Sequence, residues 1–550
     1  MSYERSLGAN ETFPKITVAS WLTVVILTVS LACQAASSSD LAAAQGPLIT
    51  PSGRAFSHNA QFVKLGQIAP LLGQPPRGPA GPINRPTIPM DQYIAAKAAA
   101  ASAVSSPVRP TAIGPLAPTF TTNFTGAAEG ENGDSLVPPD VDAAVGRSQI
   151  LQPTNSNIDI WSKTGVHLRS INDNGFVGNF TDTLGDGRAV FDPVYNRWVV
   201  LLDDFTNLTG SGMPVYYLAV SQTSDAAGAY FIFPGSLALP AGEFVDFPQL
   251  GLDQDTLLIT ANMFNNTSGA FIGPIAFAIP KAQVYNGLGY NVKLFSVSPT
   301  ICAFCTLAPP LVEDNNGNDF FVAAPITSGV TAIKKFTMTE AGRSNVAFAG
   351  PVNITVASYS VPPPNANQTC TGSNSQLQID TLDGRFENRS YQYGALLWQT
   401  HSTNQGGHSV PVFYEFNTTS NTVAQQGTFS QSSTSFDFNP HIAASTASSA
   451  IVTWTATDPT AGKDALVMFG GRTASTATGT MPVGPAIAGS TSCLVSNFDP
   501  AFGNQRWGDY SAVNLDPVAF GTFWVTNEKI AGTSSNATDH WSTHFGKVTP

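Results

Sequence analysis

The sequence predicts an all-β fold, and three observations carry this prediction. Only 11% of the 550 residues are charged, while Gly (48) and Pro (40) are plentiful. This composition suits short strands joined by turns better than helices laced with ion pairs. The third observation is a repeat of short alternating segments, each followed by segments rich in β-branched and aromatic residues. The 42% hydrophobic content supplies ample material for a core.

The first element along the chain is an apolar segment near the N-terminus. Lys15 precedes an apolar run over 16–31, and small residues follow it, which is the order of a secretory signal. Residues 1–36 are therefore predicted to be a signal peptide. The alternative is an uncleaved N-terminal anchor, because the run is long for a signal core. Cys33 follows Ser-Leu-Ala in a partial lipoprotein box, so lipidation is a minor alternative. Membrane contact is expected only through this segment.

The next segment, residues 37–116, is dominated by Pro, Ala and Gly, as in LLGQPPRGPAGPINRP. It lacks periodic apolar residues and contains one short helical candidate, MDQYIAAKAAAASAV. We predict a largely disordered linker, because such a segment cannot bury a core of its own. The folded domain is predicted over 117–550.

Within this domain the chain repeats a three-strand pattern. Each unit opens with an alternating segment, and a second and a third strand follow it. The seven opening segments are PDVDAAVG at 139, RAVFDPV at 188, FPQLGLD at 247, PPLVEDN at 309, YQYGALL at 391, NPHIAAS at 439 and GDYSAVNLD at 508. The tryptophans follow the pattern: second strands contain Trp198, Trp398, Trp454 and Trp524, and third strands contain Trp161 and Trp541.

Small sheets of this kind are too narrow to bury their faces alone, and packing them around a central axis solves the problem. The sequence therefore predicts a seven-bladed β-propeller, with six or eight blades as alternatives if one unit is miscounted. The last unit ends after its third strand, and APTFTTNFTG at 117–126 is well placed to supply the missing outer strand.

Several phrases resemble those of exported bacterial β-propeller proteins of the BNR or sialidase-like type. They include VPPDVDAAVG, AVFDPVYNRWVV, IDTLDGRFENRS, ALLWQTHS and RWGDYSAVNLDP followed by FWVTNEK. The similarity covers 139–547 and implies the fold and export, but the group has no settled activity. The Asp-box of true sialidases does not occur intact, and no three-arginine set with a Tyr/Glu nucleophile pair is evident.

The charge and the cysteine content limit the classes of partner and the cellular location that are expected. The formal net charge of -12 leaves no basic patch for a phosphate backbone, so nucleic acid is not expected as a partner. The four cysteines beyond the leader are an even number, which in an exported chain favours disulfides, although the pairing is not readable. These candidates are Cys302, Cys305, Cys370 and Cys493. A secreted, cell-surface or periplasmic location is expected.

In a propeller the N-terminal ends of the first strands and the loops between second and third strands open on one face. This geometry selects ten ligand-binding candidates, namely Asp140, Asp142, Arg188, Asp204, Asp246, His401, Arg506, Asp509, Asn527 and Glu528. Carboxylates, arginines and histidines on one rim could bind a polar polymer or perform acid-base chemistry. The structural alternatives are turn capping by the aspartates and an ion pair between Arg506 and Asp509.

The leading hypothesis is a binding or scaffold module for a glycan or a cell-surface protein. The alternative is a carbohydrate-active enzyme, either a sialidase-like glycoside hydrolase or a polysaccharide lyase, using channel-facing carboxylates, Arg and His; whether the chain is an enzyme stays open. No cofactor and no metal site are predicted. The segments DNNGND (314–319) and DPTAGKD (458–464) resemble calcium loops in composition, so calcium is kept as an unproven alternative, but both lack the spaced ligands of an EF-hand.

Overall fold

A computed structural model describes ten parts of the chain: residues 49–68, 86–103, 117–131, 136–206, 215–238, 240, 242–314, 317–446, 449–530 and 540–550. Residues 1–48, which contain the whole predicted signal segment (1–36), lie outside the described residues. Within the described ranges, no helix is long and apolar enough to cross a membrane.

The all-β prediction is confirmed, because most described residues lie in strands. The N-terminal part contains β1 (Ile49–Ser57), β2 (Gln61–Lys64), α1 (Met90–Ala101) and β3 (Thr119–Ala128). Units 1 to 3 contain β4 (Ala144–Val145), β5 (Gln149–Pro153), β6 (Asn157–Ser162), β7 (His167–Asn172), α2 (Asp173–Val177), β8 (Leu184–Asp192), β9 (Arg197–Asp204), β10 (Tyr216–Ser221), β11 (Ala229–Leu237), β12 (Glu243–Leu252), β13 (Thr256–Asn265), β14 (Phe271–Pro280), α3 (Lys281–Val284) and β15 (Tyr290–Val297).

The second half of the domain continues the same order. A short helix, α4 (Pro299–Cys302), precedes unit 4. Units 4 to 7 contain β16 (Pro310–Val312), β17 (Asn318–Ala323), β18 (Val330–Thr339), β19 (Ala347–Tyr359), β20 (Ser390–Tyr393), β21 (Leu396–Gln405), β22 (His408–Asn417), β23 (Thr422–Thr428), β24 (Phe436–Thr446), β25 (Ser449–Asp458), β26 (Lys463–Arg472), β27 (Ala488–Gly489), β28 (Phe498–Asp499), β29 (Asn504–Gln505), β30 (Ala512–Leu515), β31 (Phe523–Ile530) and β32 (Trp541–Thr549).

The first strands of the seven units are β4, β8, β12, β16, β20, β24 and β30. Each of them contacts the next first strand in chain order, and β30 contacts β4. Three of them, β12, β16 and β20, are joined by parallel pairing. Further strands of a unit pair antiparallel, as in β12 with β13 and β13 with β14. Within the described part of the chain no hydrogen-bonded sheet closes on itself.

The hydrophobic core lies between neighbouring units. Separate apolar clusters join units 1 and 2, 2 and 3, 3 and 4, 4 and 5, and 7 and 1, and a further cluster spans units 5 to 7. The six tryptophans of the repeat are buried, and four of them are completely inaccessible, namely Trp198, Trp398, Trp454 and Trp541. Each sheet therefore buries its faces against the sheets on either side.

The last unit takes its outer strand from the N-terminal side of the domain. Strand β3 pairs antiparallel with β32, in a register that sets Phe124 opposite Phe545. The ring of Phe124 stacks on Phe545 with centroids 4.9 Å apart. The segment that the sequence analysis assigned to this role thus forms a strand there.

The sequence predicts a largely disordered linker over 37–116, but two of its segments, 49–68 and 86–103, are ordered in the structure. Strand β1 pairs with both β15 and β11, and β2 pairs with β11. Helix α1 packs its Tyr93, Lys97 and Ala100 side against the folded domain, where all three residues are buried. Pro51 and Gly53 are tolerated in β1 because the pairing with β15 shifts register between them and the pairing with β11 covers only Ala55 and Phe56. Residues 69–85 and 104–116 lie outside the described residues.

The four cysteines of the domain form two disulfides. Cys302 pairs with Cys305, and Cys370 pairs with Cys493. The first closes a very short loop beside unit 4, and the second joins chain segments that are 123 residues apart.

Candidate functional site

The N-terminal ends of four first strands share an unusual backbone. Asp140 (φ 48°), Asp186 (φ 52°), Phe247 (φ 58°) and Asn439 (φ 49°) adopt left-handed conformations. Near three of these positions the strand pairing shifts register. Such conformations cost on the order of 1–3 kcal/mol each and persist only where neighbouring contacts hold them. They turn side chains toward one another at this end of the first strands.

We call Asp140, Asp186, Arg188, Asp246, Arg506, Asp509 and Glu528 the polar cluster. Arg506 donates to Asp380 and to Asp509, both at 2.8 Å. The backbone N–H of Asp509 donates to Asp140 at 2.6 Å. Burial, and then the Asp186 carboxylate, raise the pKa of Asp140 to about 7. Burial also raises the pKa of Asp509 to about 7, although Arg506 opposes the shift.

Arg188 connects three units within this cluster. Its guanidinium donates to the carbonyl oxygens of Pro248 (2.9 Å) and Glu387 (2.7 Å) and to the side chain of Asn388 (3.2 Å). It also lies over the ring of Tyr510, 3.3 Å from the centroid. These contacts occupy the planar face of the Arg188 guanidinium and its Nε, Nη1 and Nη2 donors. Arg188 thus holds its own unit to the units that contain its partners.

Three other predicted residues are also engaged in internal contacts. Asp142 forms an ion pair with Arg389 at 3.1 Å. Asn527 accepts from the Thr455 hydroxyl at 3.1 Å, and Glu528 accepts from the Gly508 N–H at 2.9 Å. Burial raises the pKa of Glu528 well above its usual value.

Two predicted residues lie apart from the polar cluster. His401 is fully buried between the Gly384 carbonyl oxygen (2.7 Å) and the Tyr414 hydroxyl (3.1 Å), and burial lowers its pKa to about 4. Asp204 accepts from the Thr206 N–H at 2.9 Å. Neighbouring residues on a strand point to opposite faces, so Asp204 points away from Asp203.

The structure thus brings six of the ten predicted residues together, but as a buried cluster: Asp140, Arg188, Asp246, Arg506, Asp509 and Glu528 are each at most 5% exposed. Helix α1 packs beside it. The Tyr93 hydroxyl donates to Asp380 at 2.7 Å, and Lys97 donates to the Thr381 hydroxyl at 2.7 Å. A large ligand cannot reach this cluster in the described conformation.

An open cavity lies at the opposite ends of the first strands. Its volume is about 660 Å³. All seven first strands contribute a residue at or next to their C-terminal end, namely Val145, Asp192, Leu252, Val312, Tyr393, Ser445 and Leu515. We call this space the end cavity.

Carboxylates dominate the charge of the end cavity. Its lining contains Lys281 and five acidic residues, Asp192, Asp253, Glu313, Asp314 and Asp516. Lys281 forms an ion pair with Asp192 at 2.6 Å, and Lys163 forms one with Asp516 at 2.9 Å. The remaining three carboxyl groups have no such ion pair among the described residues.

Glu313 and the buried neighbour of Asp253 lie in settings that favour protonation. Asp253 shares a hydrogen bond with the buried Asp319, and burial together with the Asp253 carboxylate raises the pKa of Asp319 to about 9. Glu313 is exposed and lines the partly enclosed cavity. This setting, with Asp314 beside it, raises the pKa of Glu313 to about 7.

Apolar side chains line the mouth of the end cavity. Phe520 is 82% exposed, Val194 64%, Val518 57% and Tyr393 42%. Such side chains are ordinarily withdrawn from water, so their concentration at one opening makes the mouth a candidate surface for ligand contact.

The sequence analysis missed the end cavity, although the repeat contained a signal for it. Aligned by unit, the first strands end in VFD, GLD, VED and NLD. These place Asp192, Asp253, Asp314 and Asp516 at or within two residues of the C-terminal ends of their first strands, and neighbouring first strands gather such positions at one end.

Comparisons with known proteins add little to this geometry. No family model matches the chain, and no curated protein matches it. Among solved structures, an exo-β-1,3-galactanase from Phanerochaete chrysosporium with galactose is 12% identical, with 78% of this chain and 99% of that chain covered and a TM-score of 0.30. A Trypanosoma rangeli sialidase in complex with sialic acid is 13% identical (72% and 57% covered, TM-score 0.32), and the polysaccharide lyase Uly1 is 8% identical (76% and 91%, TM-score 0.37). These TM-scores are all below 0.5, so the conclusions below depend on the geometry of the chain itself.

Proposed function

We propose that the chain is an exported, seven-bladed β-propeller that binds a glycan in the end cavity. The closed order of contacts among the seven first strands supports the blade number. The apolar clusters between successive units support radial packing of narrow sheets. Two disulfides support export to an oxidising compartment, at the cell surface, in the periplasm or outside the cell. Membership of the BNR type stays a prediction.

The observation that carries the glycan proposal is the end cavity with its exposed aromatic mouth. A volume of about 660 Å³ is in the range of small-molecule sites, which span roughly 300–1,000 Å³. Aromatic rings such as Tyr393 and Phe520 pack against the C–H faces of sugars, while carboxylates accept hydrogen bonds from sugar hydroxyls. The polar cluster lacks both accessibility and exposed aromatic groups.

The charge of the cavity restricts the class of glycan that can bind there. Five carboxyl groups and one lysine line it, and that lysine is already paired with Asp192. An anionic sugar, such as a uronate or a sialoside, would meet like charge in a partly desolvated space. The ligand is therefore a neutral or amino-sugar glycan.

A glycan array with neutral, amino-sugar, uronate and sialoside probes tests this proposal. We expect signal on neutral or amino-sugar glycans. Phe520→Ala and Tyr393→Ala should each weaken binding about tenfold, which corresponds to about 1.4 kcal/mol. Phe180→Ala is the matched control, because Phe180 is 74% exposed and does not line the cavity.

Two outcomes would contradict the proposal. Preference for anionic glycans would contradict the charge argument, and equal loss in Phe180→Ala and Phe520→Ala would show that the mouth is not the binding surface. Binding to a cell-surface protein with no glycan signal would favour the other ligand class predicted from the sequence.

A second candidate, glycoside hydrolysis in the same cavity, is favoured by Glu313. An accessible carboxyl group with a pKa near 7 is suited to protonate a leaving group, and the other cavity carboxylates could act as its partner. Release of reducing sugar from the glycans that bind tests this candidate. Hydrolysis should disappear in Glu313→Gln and persist in the exposed control Glu340→Gln. Binding without hydrolysis by the unaltered protein would leave the binding module as the function.

A further inference from the structure

Three buried aspartates meet at the end of the domain opposite the end cavity. One carboxylate oxygen from each of Asp186, Asp203 and Asp246 lies within 4.8 Å of the other two. The residues belong to β8, β9 and β12, and so to two neighbouring units. They are 3%, 2% and 1% exposed, so water does not solvate their charges.

Two of these carboxyl groups, those of Asp186 and Asp203, have no ion pair among the described residues. The nearby guanidinium of Arg188 instead donates to Pro248, Glu387 and Asn388. Buried carboxylates without a positive partner are costly.

Two buried oxygen atoms add an independent sign of a ligand. In the described part of the chain, Oδ2 of Asp203 and Oδ1 of Asn262 have no hydrogen-bond partner. Asn262 is fully buried and lies directly opposite Asp246 in the pairing of β12 and β13. Side chains of opposed residues project from the same face of a sheet. The Asn262 amide therefore presents a neutral oxygen on the face that bears the Asp246 carboxylate.

The backbone is strained where it presents these groups. Asp186 itself has φ 52°, and Phe247, which follows Asp246, has φ 58°. The strand pairing shifts register between Gly185 and Arg188 and between Asp246 and Gln249. Irregularities of this kind commonly re-aim side chains at functional sites.

We propose that Asp186, Asp203 and Asp246 bind a divalent cation of calcium's size, with Asn262 supplying a neutral oxygen. Hard cations take carboxylate and amide oxygens, and calcium binds them at about 2.3–2.6 Å, so oxygens on opposite sides of one ion lie up to about 5 Å apart. The three aspartates meet this limit. The ion joins units 2 and 3, and its binding is independent of any glycan in the end cavity.

Calorimetric titration of the full chain with CaCl2, after removal of metal with EDTA, tests the proposal. We expect one calcium ion per chain and a thermal unfolding temperature that rises with calcium concentration. Asp203→Asn should weaken calcium binding at least about tenfold. Asp204→Asn is the matched control, because it removes a charge from the adjacent position on the opposite face of β9, and it should bind as the unaltered protein does.

Three results would overturn the proposal. They are the absence of calcium binding at millimolar concentration, equal binding by Asp203→Asn and the unaltered protein, and equal affinity for magnesium, which would exclude selection by size. Should Asp203→Asn fail to fold, native mass spectrometry of the unaltered protein decides, since a calcium stoichiometry of zero also overturns the site.

Discussion

The ε-amino group of Lys97 lies 3.4 Å from a carboxylate oxygen of Asp380, and both side chains are buried. Asp380 also pairs with Arg506. Burial opposes the ionisation of Asp380, but Lys97 and Arg506 hold its pKa below the usual value. One aspartate thus joins α1 to the polar cluster.

Replacing Lys97 should loosen α1. In Lys97→Met the helix loses its ion pair with Asp380, while Arg506 still pairs with that carboxylate. We expect amide hydrogen exchange in α1 to accelerate about tenfold, which corresponds to about 1.4 kcal/mol. Hydrogen-exchange mass spectrometry measures this. Asp91→Asn, on the exposed side of the helix, is the control, and equal acceleration in both variants would argue against the ion pair.

Arg188 should be essential to stability. Arg188→Met leaves buried acceptors on Pro248, Glu387 and Asn388 without their donor, and we expect a loss of about 3–5 kcal/mol. Arg188→Lys should also destabilise, because an ammonium group cannot reproduce the planar fork. Urea denaturation measures both.

The exposed Arg343→Met is the control for this prediction. Arg343 forms a surface pair with Glu340, and its loss should cost less than about 1 kcal/mol. A loss of this small size in Arg188→Met would mean that the unit contacts do not depend on the guanidinium.

The two disulfides should contribute unequally. Cys370–Cys493 spans 123 residues, whereas Cys302–Cys305 spans three. Cross-linking a longer loop restricts the unfolded chain more, so the Cys370→Ser/Cys493→Ser double variant should lose about 2–5 kcal/mol. The Cys302→Ser/Cys305→Ser variant should lose less. Chemical denaturation measures the loss of unfolding free energy in each variant. A larger loss in Cys302→Ser/Cys305→Ser would contradict the loop argument.

Acid should destabilise the protein through His401. The pKa of His401 is about 4 in the folded chain because of its burial, so the unfolded chain takes up the proton first as the pH falls. The contribution of neutral His401 is complete above about pH 6.5 and is lost toward about pH 4. By about pH 5 the expected loss is about 2 kcal/mol.

Comparison of His401→Gln with the unaltered protein isolates this contribution. The difference in unfolding free energy between about pH 7 and pH 5 should shrink by about 2 kcal/mol in the variant. His58→Gln, at an exposed position, should keep the original difference. An unchanged pH dependence in His401→Gln would contradict the assignment of a neutral buried imidazole.

Local patterns in the sequence predict the strands well but not which face of them is functional. The β-rich segments and the tryptophan positions could be read because strand periodicity and aromatic burial are local. Whether Asp203 or Asp204 points inward depends on the register of β9, and that register is set by its pairing with β8 and β10. The sequence indicated helix α1 but not its packing on the domain, because only Tyr93 is large and apolar on its packed side. The buried state of Arg506 and Asp509 required partners from distant parts of the chain.

The position of the glycan tests the central claim most directly. Hydroxyl-radical footprinting of the full chain, with and without a saturating glycan that binds on the array, reports which side chains become covered. The proposal predicts protection of Tyr393, Val518 and Phe520 at the mouth of the end cavity. Protection confined to α1 and to residues 506–510, with Phe520 unchanged, would contradict it.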